Sequence, residues 1–355
     1  MRELRDFDRS RLESIMASWE GLKIAVVGDY FLDKYLDIDP ALAEPSLETG
    51  RTAHQVKAVR HSPGAAGTVV NNLAALLERR GKILAAGFTG DDGEGYELRG
   101  DLEDLGVDLS HLLTDRGAGR HTPVYLKPRD LSRPGLAGEH DRYDIKNRLP
   151  TDSELEERLM ASLDELLRKS DALVLMDQVE DDGFGVITPR IRSFLGERLT
   201  NRVPILAWAD SRRRIGEFRG CIRKMNQFEL MGIHHPLPGD SVPDGVLKAR
   251  LESEEKSSGS KVFVTAGEKG VWVLGSEGPV LVPALLFDGP TDPTGAGDSF
   301  TAGAVLALAA GASAVEAALV GTLTASVTVR KLGTTGTASR RELAKAFADW
   351  QEIHP

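Results

Sequence analysis

One stretch of this chain has residue types and spacing suited to phosphate chemistry: Asp292-Pro293-Thr294-Gly295-Ala296-Gly297-Asp298-Ser299-Phe300. Glycines let a ligand approach backbone amides closely. A helical pattern runs from about Asp298 to Ala310, so the loop sits at the positive end of a helix dipole, among N–H groups without partners inside the helix. Such a place binds anions. The amides of Gly295, Ala296 and Gly297 are candidate donors to charge building up on a transferred group. A carboxylate beside an anion site is costly unless it has a task, and the task that suits Asp298 is taking the proton of an attacking hydroxyl. Without its neighbours the same string also reads as a turn followed by an ordinary first-turn acid.

Other candidates surround it. Asn226 and Glu229 lie three apart, which on a helical turn places both side chains on one face. Oxygen donors suit Mg2+, which takes few protein ligands and keeps several waters. A surface helix start is the other reading of that pair. Asp29 and Asp33 follow the apolar run Lys23–Val27, and carboxylates at strand ends accept hydrogen bonds from hydroxyls. Asp29 serves equally as a turn cap. Arg212, in the run Arg212-Arg213-Arg214, reads either as a phosphate contact or as part of a solvated basic loop.

These residues need elements to hold them. Buried-type strands are expected at Lys23–Val27, Ile83–Phe88, Ala172–Met176, Val203–Ala209, Lys261–Thr265 and Val271–Leu274. Helical patterns fall at Ala65–Glu78, Glu94–Leu105, Pro150–Lys169 with Thr151 as N-cap, and Ala312–Arg330. This alternation predicts an α/β fold with a mainly parallel sheet and helices on both faces. Leu36–Arg60 and Val124–Ile145 break the rhythm with extended, half-exposed patches.

The motifs together resemble the ribokinase-like (PfkB) carbohydrate kinase family, whose C-terminal signature is Asp-Thr-Thr-Gly-Ala-Gly-Asp; Pro293 stands where a threonine is usual. Val26-Val27-Gly28-Asp29-Tyr30-Phe31-Leu32-Asp33 resembles the opening of its heptose-phosphate kinase branch, and Lys331-Leu332-Gly333-Thr334 its closing segment. Asn226-Gln227-Phe228-Glu229 is similar to its Asn-x-x-Glu motif, and Thr265-Ala266-Gly267-Glu268-Lys269-Gly270 to its nucleotide turn. The resemblance spans about residues 22 to 345. It implies a three-layer αβα sandwich forming one domain over 1–355, with lid segments at about 36–60 and 122–146. It implies ATP and Mg2+, leaves a monovalent cation (K+) open, and makes Asp298 the general base. Asn226 and Glu229 would organise the metal and phosphates. Thr265, Gly267 and Gly270 would touch the nucleotide, and Arg212 would replace a lysine near phosphate. Asp33, Asp29, Gly64, Thr68 and Asp177 would form the sugar side, and paired lids would give a homodimer.

The departures gather on the acceptor side. Gly64-Ala65-Ala66-Gly67-Thr68 replaces Gly-Gly-x-x-x-Asn, and Phe184 stands where the branch has a lysine. The expected activity is phosphorylation of a hydroxyl on a sugar or sugar phosphate, with a heptose phosphate as one candidate. The alternatives are a catalytically weak sugar or nucleotide sensor and a nucleoside kinase. No His-x-Gly-His motif is present, so a nucleotidyltransferase half is not expected.

The formal net charge of −10 argues against nucleic acid as a partner. A single cysteine, Cys221, excludes an intramolecular disulfide and fits a reducing compartment. No apolar run reaches membrane-spanning length. The expectation is a cytoplasmic protein without a membrane partner.

Overall fold

The computed structural model describes residues 4, 6–117, 119–133, 135–201, 205–237, 239–333 and 335–354. Val203 and Thr334, both named above, lie outside them.

Nine strands form the central sheet. From one edge they run Gly278–Val282, Val271–Gly275, Val262–Thr265, Ile222–Asn226, Leu206–Ser211, Ala172–Asp177, Lys23–Gly28, Lys82–Gly90 and Asp108–Asp115. The seven from Val262–Thr265 to Asp108–Asp115 pair in parallel, and only the Val271 and Gly278 strands turn back antiparallel. Strands buried on both faces read as continuous apolar runs, because alternate side chains enter opposite cores. In Lys23–Gly28, Ile24 and Val26 enter one core while Ala25 and Val27 enter the other.

The first core is closed by helices including Ala66–Leu77, Ala296–Ala309, Ala314–Thr328 and Arg340–Ile353. Ser153–Lys169, Pro189–Asn201 and Asp244–Ser258 close the second. Helices Ala296–Ala309 and Ala314–Thr328 approach closely through small residues, with Gly303 against Thr324 and Gly321 against Phe300. The fold is the expected ribokinase-like αβα sandwich. Among the described residues no helix is long and apolar enough to cross a membrane.

Two local expectations need correction. The long helix is capped by Asp152, whose side chain accepts from the Leu155 amide at 2.8 Å, not by Thr151. Thr151 instead donates its hydroxyl to the Gly185 carbonyl at 2.8 Å. The small sheet also begins earlier than the pattern suggested. Its strands Val56–Ala65, Tyr30–Ile38, Val124–Asp130 and Tyr143–Ile145 lie side by side in that order. The chain therefore passes from the central strand Lys23–Gly28 straight into the small sheet, with Asp29 alone at the crossing.

Candidate active site

The carboxyl ends of the parallel strands form the floor of two cavities that share Gly297 in their walls. The signature loop lies between them. Gly295 adopts φ +76°, a left-handed conformation that ends the loop and starts the helix at Ala296. Asp298 is thus the third helical residue, half-buried at the floor. Burial, then the nearby Asp210, pushes its carboxyl up to about 7, against the pull of Lys224 and Arg212. The Ala296 amide donates to the Pro293 carbonyl at 3.1 Å and so closes the turn. Of the three amides expected to face an anion, this one does not.

The first cavity, about 310 Å³, is polar. Arg212, Lys224, Asn226, Glu229, Gly297 and Asp298 line it, with His234 at one side. Asn226 and Glu229 cap each other: the Asn226 oxygen accepts from the Phe228 and Glu229 amides, both at 2.9 Å, and Glu229 accepts from the Asn226 amide at 2.7 Å. Both acceptor positions of the Asn226 oxygen are taken. Asn226, expected as a metal ligand, here spends its oxygen on the helix start and orients Glu229. Burial raises the Glu229 carboxyl above its ordinary range, with Lys224 opposing. Among the described residues no three acidic, His or Cys side chains form a metal cage. The oxygen donors present fit a Mg2+ ion held mostly by phosphate and water, with Glu229 as the candidate protein contact.

Lys224 escaped the sequence reading. It shares a strand with Asn226 at two residues' distance, so both side chains leave the same face. Its Nζ lies 2.6 Å from Asp210 Oδ2 and only 2.7 Å from the point a Cβ on Gly297 would occupy. Burial works against its charge, but Asp210 and Glu229 hold the ammonium above its usual range.

The second cavity, about 360 Å³, is walled by Thr265, Gly267 and Gly270 on one side and by Leu285, Phe287, Phe300 and Val329 on the other. The turn and this apolar wall form a slot of the size and character that suits an aromatic base.

The acceptor-side residues part company. Asp33 stands on the small sheet, buried and paired with Lys127, whose Nζ lies 3.1 Å from Oδ1. Gly64 leaves room for it, since a Cβ there would come within 3.0 Å of Asp33 Oδ2. Arg142 stacks on Tyr125 beside them at 4.3 Å. Asp29, by contrast, is spent on backbone amides. It accepts from Gln178 at 2.8 Å, Val179 at 2.9 Å and Val186 at 2.7 Å. Burial and the neighbouring Asp177 push it up to about 6. Asp177 is paired with Arg214 at 2.7 Å and accepts from the Ser211 hydroxyl at 2.6 Å. Asp29, expected on the sugar side, thus tethers the loop around 178–186, while Asp177, expected there too, holds Ser211 and Arg214. Thr68 is also buried, its methyl packed against the signature loop at Gly295 rather than turned to the cleft.

A pfkB family carbohydrate kinase model matches residues 224–341, the segment that holds Lys224, Asn226, Glu229, the Thr265 turn and the signature loop. This segment is therefore similar to the kinases of that family. Among individual relatives, the chain is 28% identical to the bifunctional protein HldE of Wolinella succinogenes over 91% of its own length. It spans 64% of the length of that relative. Ribokinase from Thermotoga maritima shares the fold at a TM-score of 0.63 and 19% identity, covering 92% of this chain and 99% of that one. Phosphofructokinase-2 from Escherichia coli, in complex with potassium, does so at 0.68 and 18%, covering 93% and 98%.

Proposed function

We propose that this chain transfers the γ-phosphoryl group of ATP to a hydroxyl of a sugar or sugar phosphate, with Asp298 as general base. The observation that carries this is the position of Asp298: half-buried at a helix N-terminus, between an apolar slot for a base and a polar cleft that holds Arg212, Lys224 and Glu229. The acceptor hydroxyl oxygen forms a bond to the γ-phosphorus and gives its proton to Asp298. The bond from that phosphorus to the bridging oxygen breaks, and its electron pair leaves with ADP. The slot orients the nucleotide, and the Gly295 and Gly297 amides are the loop donors left for the developing charge. Bound Mg2+ would supply neutralisation of phosphate charge near Glu229.

On the acceptor side, the Asp33 carboxylate beside Lys127 suits a hydroxyl donor. Lys127, paired with Asp33, and Arg142, paired with Asp144, stand beside it as the cations a phosphate on the acceptor could reach. A heptose phosphate is the first candidate, supported by the resemblance of the opening motif and by the likeness to HldE.

The test is ADP release from Mg2+–ATP against sugars, sugar phosphates and nucleosides, in K+ and in K+-free buffer, with a no-acceptor control. Acceptor-dependent ADP is expected, rising with pH through about 7 as Asp298 ionises. Asp298→Asn is expected to cut turnover by roughly 10²- to 10⁴-fold. A variant that keeps most of its turnover removes Asp298 as base. ATP binding without turnover on every acceptor moves the chain to the sensor reading.

A further inference from the structure

We propose that Lys224 contacts the transferred phosphoryl group directly, as a catalytic cation supplied from the strand next to the one that ends in Asp210-Ser211-Arg212. The inference rests on the kinase reading above and extends it to a residue no motif marks.

Three observations carry it. First, Lys224 is only 8% exposed, yet it lines the phosphate-side cleft with Asp298 and Glu229. A buried ammonium is expensive, and a buried ion pair is often no better for stability than well-packed apolar residues. Its retention on a cleft wall is better explained by work done there than by folding.

Second, its Nζ presses on the signature loop. A Cβ on Gly297 would lie 2.7 Å away, so the ammonium rests on the backbone at the start of helix Ala296–Ala309. A cation at that end of a helix is on the wrong side of the dipole. Asp210, at 2.6 Å, offsets part of the repulsion. An anion in the cleft would be attracted by both the ammonium and the helix end. The transferred phosphoryl group is such an anion, and its equatorial oxygens carry the charge as the bond to ADP lengthens.

Third, Arg212 lines the same cleft but is exposed, and directs Nε toward Gln178 Oε1 at 3.3 Å. Lys224 sits on the floor, among Asp210, Glu229 and Asp298, which hold it charged.

The experiment compares binding of ATP and ADP, each with Mg2+, to wild type, Lys224→Met and the double variant Asp210→Asn/Lys224→Met by calorimetry. Acceptor-dependent turnover is measured alongside. If Lys224 touches the γ-phosphoryl group, Lys224→Met weakens ATP binding by about tenfold or more and ADP binding by less than about twofold. Turnover falls by about 10²-fold or more with little change in the acceptor KM. The double variant removes both buried charges, so it tests whether Lys224 serves only to neutralise Asp210. Persistent loss of the ATP preference there supports the contact. Its return to the wild-type value overturns the proposal, as does an unchanged ATP-to-ADP ratio in Lys224→Met. A wild-type protein that turns over no acceptor sinks the kinase reading, while the binding comparison still decides Lys224.

Discussion

Asp298→Asn should make this protein more stable at alkaline pH while disabling it. The folded chain holds the Asp298 carboxyl at about 7, against an ordinary 3.8. Between those values the folded state binds a proton that the unfolded chain has lost. The stability from this group is therefore complete below pH 3.8 and is lost as pH rises through 7. Full burial would make the penalty about 4 kcal/mol above pH 7. Asp298 is only half-buried in an open cleft, so screening by water reduces it to about 1–3 kcal/mol. Asparagine is close to isosteric and carries no charge, so it escapes the penalty.

For a chain of 355 residues the unfolding entropy converts that range to a rise of about 1–4 °C in melting temperature at pH 8. At pH 5.5 the folded carboxyl is protonated and about half of the gap remains. Scanning calorimetry of both proteins at the two values reads the difference directly. The Asp29 carboxyl, pushed up to about 6, contributes with the same sign but cancels between the two proteins. A variant that melts at or below wild type at pH 8, or a gap that does not shrink toward pH 5.5, would refute the electrostatic account of Asp298.

Two further substitutions probe the acceptor side. Ala65 precedes helix Ala66–Leu77 at φ +53° and ψ −117°, a region that favours glycine. Ala65→Gly should relieve that strain and stabilise the fold by about 0.5–2 kcal/mol in urea unfolding, after glycine's own entropy cost. No gain would mean the backbone there is not strained. Asp29→Ala strips the partners from three backbone amides and should cost about 2–4 kcal/mol. A large loss of turnover with unchanged stability would return Asp29 to the substrate.

The fold was legible because its strongest signals are local and repeated. Ala172–Asp177 is buried at every position, and Ser153–Lys169 keeps Leu155, Leu159, Leu163 and Leu166 on one stripe. Asp298 was legible for a similar reason: its turn and its helix start are neighbours in sequence. Lys224 was not, because an Arg-Lys pair in a short apolar strand gives no sign of which cation its neighbouring strand will bury. Asp29 and Asp33 both follow the first strand, Asp29 reading also as a turn cap. Only the crossing between the two sheets separates them, leaving one against the 178–186 loop and the other on the small sheet. The same limit explains Thr151 and Asp152, adjacent residues that can each cap a helix.

The two sides of the site differ in how much freedom their packing leaves. On the donor side, Gly297, Lys224, Asp210 and Asp298 constrain one another. A side chain at Gly297 would strike the ammonium, loss of the ammonium would leave Asp210 buried and unpaired, and either change would shift the base. On the acceptor side, Thr68 meets the signature loop through a methyl group and Ala65 tolerates a strained backbone, so both can differ without disturbing Asp298. Asp33 and Gly64 keep their mutual fit on the small sheet. On the proposed function, a change of acceptor would be accommodated in the small sheet and the turn beneath it, while the closely packed strand ends would keep phosphoryl transfer fixed.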